Sequence, residues 1–156
     1  MRLEESGERR AAFTVGRLAR LACLLIAAYG SIACSLPNLE KPQCTDARLA
    51  ARRFYSIHFG NDMKMTADNL KIRESYMTPE LYSSLLAAGD SKFDYFTATD
   101  DYPKAFRVGS CTSDSDTAAT LQILLLWKDA TRSEQKEVHA DFVKKGDNWL
   151  IQSVSK

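Results

Sequence analysis

Between residues 45 and 89 apolar side chains recur every three or four positions, whereas from about residue 106 they recur every second one. The chain therefore changes from a helical to a strand period about midway. In the first part, Ala47, Ala50, Phe54, Ile57 and His58 share one face of a helix that Thr45 can cap and Gly60 can stop. Thr66 or Asp68 opens a second helical segment through Leu70 and Ile72. Thr78-Pro79-Glu80 is the clearest start signal in the chain: a capping threonine, proline at the first helical position and an acid in the first turn. Leu81, Leu85 and Ala88 then face inward before Gly89 ends that helix.

In the second part, Phe106 and Val108 alternate with Arg107 and Gly109 in a strand running to Cys111. Residues 117–128 place Leu121, Ile123, Leu125 and Trp127 on one face and Leu124 and Leu126 on the other, which predicts cover on both faces of the later half. Residues 134–145 carry Val138, Ala140 and Phe142 on one face, and Gly146-Asp147 turns into a final strand beginning near Trp149. Helices first and an antiparallel meander afterwards make an α+β domain, with the N-terminal helices packed on a curved antiparallel sheet. Phe54, Leu81 and Leu85 are expected against the 121–127 strand, and Trp127 and Trp149 in the core.

Ahead of this domain, residues 21–39 carry no charge. Their strongly apolar part spans only 21–29, the length of a signal-peptide core rather than of a membrane-spanning helix, although a retained anchor stays the alternative. Arg9, Arg10, Arg17 and Arg20 supply the positive flank, and Ser31 and Ala33 are small residues just before Cys34. The stretch Ser31-Ile32-Ala33-Cys34 resembles a bacterial lipobox, whose cysteine becomes the lipidated first residue of the mature chain. Ser31 stands where that motif usually has an aliphatic residue, so ordinary signal-peptidase cleavage at the same bond remains open. The resemblance implies that Ser35 permits sorting to the outer membrane. The expected organisation is a signal peptide over 1–33, a lipid-attachment residue and linker over 34–44, and the α+β domain over 45–156. Residues 1–20 are long for a signal's charged flank and include Glu4, Glu5 and Glu8, so Val15 is the expected translation start.

Charge and cysteines sharpen this picture. The leader holds five basic and three acidic residues, leaving 16 and 17 of the chain's 21 and 20 for the mature part. A surface that close to neutral argues against a nucleic-acid partner. Once Cys23 leaves with the signal, Cys34, Cys44 and Cys111 remain. If Cys34 carries lipid, Cys44 and Cys111 are left as a pair for a disulfide in an oxidising compartment, with two buried free thiols as the alternative.

The helix "DARLAARRFYSIHF", the helix "MTPELYSSLL" and the ending "GDNWLIQSV" together resemble the cystatin-like, nuclear-transport-factor-2-like superfamily of cone-shaped α+β domains. With the "DYFTATDDY" loop and the lipoprotein-like leader, the chain is similar to a group of uncharacterised bacterial envelope proteins within it. Their loop usually carries Asp, Phe, Asp and an aromatic residue at the places of Asp94, Phe96, Asp101 and Tyr102. That resemblance implies an envelope lipoprotein held to the membrane by its N-terminal lipid. Its domain is expected to act as a non-enzymatic binding module for an envelope protein, or as an immunity protein against a toxin, without a cofactor.

Loop 93–102 interleaves acids with aromatics, which has two readings. Phe93, Phe96 and one tyrosine plug the mouth of the cone while the aspartates cap turns, or Asp94, Tyr95, Phe96, Asp101 and Tyr102 form a binding edge. Related folds include isomerases and dehydratases with an acid or histidine in the cone, which makes Asp94, Asp100, Asp101 and His58 the enzymatic candidates. His58 reads more simply as a core-facing residue at the end of its helix, and His139 points away from the face of Val138 and Ala140. Two such histidines lack the spacing of a structural zinc site.

A leader of this kind has one decisive test. Mass spectrometry of the mature protein should show an acylated Cys34 at its amino terminus, unchanged when initiation at Met1 is abolished. Cys34→Ala should release the domain from the membrane or leave the leader uncleaved. An unmodified Cys34 in a disulfide with Cys44 or Cys111 would refute both the lipid and the pairing.

Overall fold

The structure, a computed structural model, describes residues 39–156, so the leader, the cleavage site, Cys34 and Val15 lie outside the described residues. The compact unit comprises Glu40–Lys156. It contains α1 (Pro42–Gly60), α2 (Ala67–Arg73), a single 3₁₀ turn (Glu74–Tyr76) and α3 (Pro79–Ala88). Four strands follow: β1 (Ala105–Ser115), β2 (Ala118–Lys128), β3 (Ser133–Lys145) and β4 (Asn148–Ser155). The strands pair antiparallel in chain order, so the domain is α+β, with helices on a four-stranded meander. No described helix is long and apolar enough to cross a membrane.

The first helix starts four residues earlier than a capping Thr45 predicts. Lys41 is the capping position and Pro42 the first helical residue, where a fixed φ and a missing N–H cost nothing. Thr45 already donates its N–H to the Lys41 carbonyl from inside the helix. The buried face of α1 runs through Cys44, Ala47, Ala51, Phe54, Tyr55 and His58, while Ala50 and Ile57 are only half-buried. α2 is capped by Thr66, whose hydroxyl accepts the Asn69 N–H, and α3 by Thr78, whose hydroxyl accepts the Leu81 N–H. Leu81 and Leu85 are buried, but Ala88 is exposed at the end of the helix.

Across the sheet one face is consistently apolar. Val108, Ile123 and Val138 stand in register across β1, β2 and β3, as do Ala119, Phe142 and Ile151 across β2, β3 and β4, and all six are buried. α1 lies against β1, β2 and β4, and Phe54, Leu81 and Leu85 share one buried cluster with Leu121, Ile123, Leu125 and Trp127 of β2. α3 itself packs chiefly against α2 and β4. The cause is a backbone tie: Thr78 donates its N–H to the Ile151 carbonyl at 3.0 Å and Met77 bridges Ile151, which anchors the start of α3 to the edge of the sheet. Leu124 and Leu126 are half-buried rather than covered, because the helices pack on the opposite face.

The other edge strand, β1, is tied to α1 in several places. Cys44 and Cys111 form a disulfide with their Cα atoms 5.8 Å apart, at the N-terminal end of the buried face of α1. Arg48 donates to the carbonyls of Val108 and Gly109, and Lys41 to that of Ser113 at 2.8 Å. Basic side chains thereby occupy carbonyls of a strand that ends the sheet. A bulge interrupts the ladder between Val108 and Cys111, and Gly109 fits there because a Cβ would lie 2.5 Å from the Gln122 side chain.

The bridge closes a loop of 67 residues, for which chain entropy gives stabilisation on the order of 4 kcal/mol as an upper value. Replacing both Cys44 and Cys111 by alanine should lower the unfolding free energy by about 2–4 kcal/mol in denaturant titration. An unchanged midpoint would show that the cross-link contributes nothing to stability.

Candidate functional site

A carboxylate taken fully out of water must collect hydrogen bonds in compensation, and Asp94, which is completely buried, does so from three sides. Its Oδ1 accepts the Phe96 N–H at 2.9 Å. Its Oδ2 accepts the Thr97 hydroxyl at 2.6 Å and faces His58 Nε2 at 2.8 Å. Two of these donors are close in sequence, an aspartate-turn arrangement that a short acidic side chain makes locally. The third comes from the last turn of α1, so Asp94 joins loop to helix.

An acceptor-only carboxylate requires the hydrogen on His58 Nε2, which leaves Nδ1 without a proton. Nδ1 is buried and makes no hydrogen bond to the described protein. The ring is packed among aromatic neighbours: stacked with Phe54 at 5.9 Å and edge-on to Phe96 at 5.1 Å, Phe59 at 6.0 Å and Tyr55 at 6.3 Å. Burial pushes the His58 pKa below its ordinary value, against the pull of Asp94. Tyr55 donates its hydroxyl to the Phe96 carbonyl at 2.9 Å, and burial followed by the nearby Asp94 charge raises its pKa, so it stays a neutral donor.

Arg73 is also buried, an uncommon state for arginine. Its guanidinium donates to the carbonyls of Lys64 at 3.1 Å and Asn61 at 3.3 Å, across a turn in which Asp62 and Met63 both have φ of 58°. It thus holds a left-handed pair of non-glycine residues in place. Burial lowers its pKa while Asp94 and Asp62 oppose the shift; the group remains charged.

The sequence candidates separate on this geometry. Asp94 and Phe96 are wholly buried, so they cannot form an exposed binding edge. Phe96 serves as the plug, T-shaped against Phe54 at 4.6 Å. Tyr95 is half-buried and its hydroxyl accepts the Val154 N–H of β4 at 3.2 Å, while Tyr102 is half-buried near Arg73. Asp101 alone of the five is exposed; its side chain pairs with Arg132, and its carbonyl accepts the Trp127 indole N–H at 2.9 Å. Phe93, expected as a plug, is 48% exposed, because the turn closed by Asp94 and Thr99 directs Phe96 inward instead. His139 stays at the surface beside Glu137.

The exposed part of the loop borders a hollow of about 470 Å³. Phe93, Ala98 and Asp100 line one side, and Lys136, Glu137 and Lys156 the other. The Lys156 ammonium lies 6.0 Å from the centre of the Phe93 ring, within reach of a cation–π contact. Thr97 touches both this hollow and Asp94, which connects the surface feature to the buried cluster. The side chains of His58 and Asp94 are both fully buried, so the pair presents no face to a solute. Glu40, Cys44 and Cys111 bring ligand atoms within 4.8 Å of one another, but the disulfide occupies both sulfurs.

Sequence reasoning named His58 and Asp94 separately but missed their contact, and it missed Arg73, Thr97, Lys136 and Glu137 altogether. The available signal was weak: a histidine on the apolar stripe of a helix and an acid flanked by aromatics each ask for a polar partner. Neither a protein-family profile nor a curated protein matches this sequence. A solved structure of a protein of unknown function from Bacteroides thetaiotaomicron is similar at 15% identity and a TM-score of 0.47, over 72% of this chain and 91% of that one.

Asp94→Ala would leave three buried donors without an acceptor and should cost about 3–5 kcal/mol in denaturant titration. Asp94→Asn, which keeps shape and one acceptor, should cost less. Equal losses for the two variants would mean that charge rather than shape matters at this position.

Proposed function

We propose that this chain is an exported bacterial envelope lipoprotein, anchored through Cys34, whose domain binds a protein partner at the hollow between loop 93–100 and β3. The observation that carries the binding reading is Phe93, an aromatic left exposed by a loop whose neighbouring residues are held rigidly. Asp94, Phe96 and Thr97 immobilise the backbone from inside, so little order has to be gained on binding. Asp100, Lys136, Glu137 and Lys156 place both signs of charge around the aromatic, the composition of an apolar anchor with a polar rim.

The disulfide supports the compartment, since such bridges persist where the surroundings are oxidising. The cystatin-like cone belongs to the same proposal, supported by helices lying on the apolar face of an antiparallel meander. An isomerase or dehydratase would require His58 and Asp94 to meet a substrate, and their burial weighs against it. Envelope component and toxin are both partners of the proposed class.

A photo-crosslinking amino acid at position 93, introduced in the producing bacterium, should give a discrete protein adduct. The same residue at position 49, on the exposed face of α1, should not. Absence of an adduct at 93, or the same adducts from both positions, would overturn the reading, and the adduct's identity distinguishes an envelope component from a toxin.

A further inference from the structure

The loop over residues 89–104 makes its most interior polar contact with α1 through His58 and Asp94. Elsewhere it is tied by Tyr55 to the Phe96 carbonyl, by Val154 to the Tyr95 hydroxyl and by Trp127 to the Asp101 carbonyl. The Asp101 side chain also pairs with Arg132 at the surface. Among these ties the His58 contact is the one made by an imidazole, which gains a proton in mildly acidic solution.

The geometry makes that proton unwelcome. In the neutral ring Nε2–H already serves Asp94, so an added proton must go to Nδ1, which is buried and has no acceptor among the described residues. The titratable and charged groups that face the ring are Asp94 from the loop, Arg73 from α2, Asp62 from the turn between α1 and α2, and Tyr55 from its own helix. Phe54, Phe59 and Phe96 supply the other recorded ring contacts and no hydrogen-bond acceptor of ordinary strength. Burial above all, with Arg73 behind it, disfavours the charged ring, against the pull of Asp94 and Asp62.

We propose that His58 and Asp94 form a proton-operated latch that holds loop 89–104 on α1 and releases it in acid. Because Thr97 joins Asp94 to the lining of the hollow, release also reshapes that hollow; this consequence, though not the latch, rests on the hollow's reading as a binding site. The sign follows from linkage. A histidine whose pKa is lower in the closed state than the ordinary 6.5 keeps its full contribution above 6.5 and loses it as pH falls below that value. Release is local because the central strands are held by backbone ladders and apolar contacts that do not titrate.

Amide hydrogen exchange on the full chain tests the latch, with rates corrected for the intrinsic pH effect. Between pH 7.5 and 5.5 the opening equilibrium at the Phe96 and Thr97 amides should rise by up to about tenfold. Ile123 and Val138 in the central strands should keep their protection over the same range. In His58→Gln, whose amide can donate to Asp94 without titrating, the rise should vanish. A flat wild-type profile, the same slope in the variant, or parallel loss at Ile123 and Val138 would overturn the latch. Should the variant not fold, nuclear magnetic resonance titration of the wild-type rings decides: His58 should titrate below 6.5, and a midpoint at or above 6.5 refutes the proposal. None of these measurements involves a ligand, so the latch and the binding reading fail independently.

Discussion

Everything distinctive about this domain depends on the burial of one carboxylate. Asp94 lies wholly out of water, and a lone charge there would be prohibitively costly, so the surroundings are arranged to supply donors. Phe96 and Thr97 give theirs by folding the loop back on itself, and His58 gives the third by standing at the end of α1. One constraint therefore shapes the loop, seats Phe96 among the aromatics of α1 and decides which residues of the loop remain outside.

α1 organises the domain at two ends by different chemistry. Near its start the Cys44–Cys111 bridge and the side chains of Lys41 and Arg48 bind it to β1. Near its finish His58 and Tyr55 bind it to the loop that precedes the same strand. Between them Ala47 and Ala51, both fully buried, are small enough to let the helix lie close to its neighbours. The ties at one end are a covalent bridge and basic side chains on backbone carbonyls, whereas those at the other end are a histidine on a carboxylate and a tyrosine on a carbonyl.

Such an arrangement separates support from contact. The aromatic and acidic residues that looked most like a binding edge are mostly spent on rigidity, and the hollow left at the surface is lined by Phe93 and Asp100 with charged residues of β3 and Lys156. The loop thus carries an exposed aromatic beside a charged rim, while the side chains of His58 and Asp94 are enclosed.

Apolar periodicity and capping residues by themselves determined the α+β class, the order of the elements, the cap at Thr78 and the inward faces of β2 and β3, because these follow from local geometry, whereas the structure chose Thr66 over Asp68 as the cap of α2. The cysteine count also made Cys44 and Cys111 a candidate pair, and their proximity in the fold settled it. Local pattern misplaced the start of α1, where Pro42 outranks Thr45, and could not tell that α3 leans on β4. The contact of His58 with Asp94, the burial of Arg73 and the meeting of Phe93 with Lys136 and Glu137 at one hollow were decided only by tertiary structure. The physical reason is that each joins residues far apart in the chain: a polar side chain's need for a partner can be read locally, but which partner meets it depends on how helices, loop and sheet are packed together.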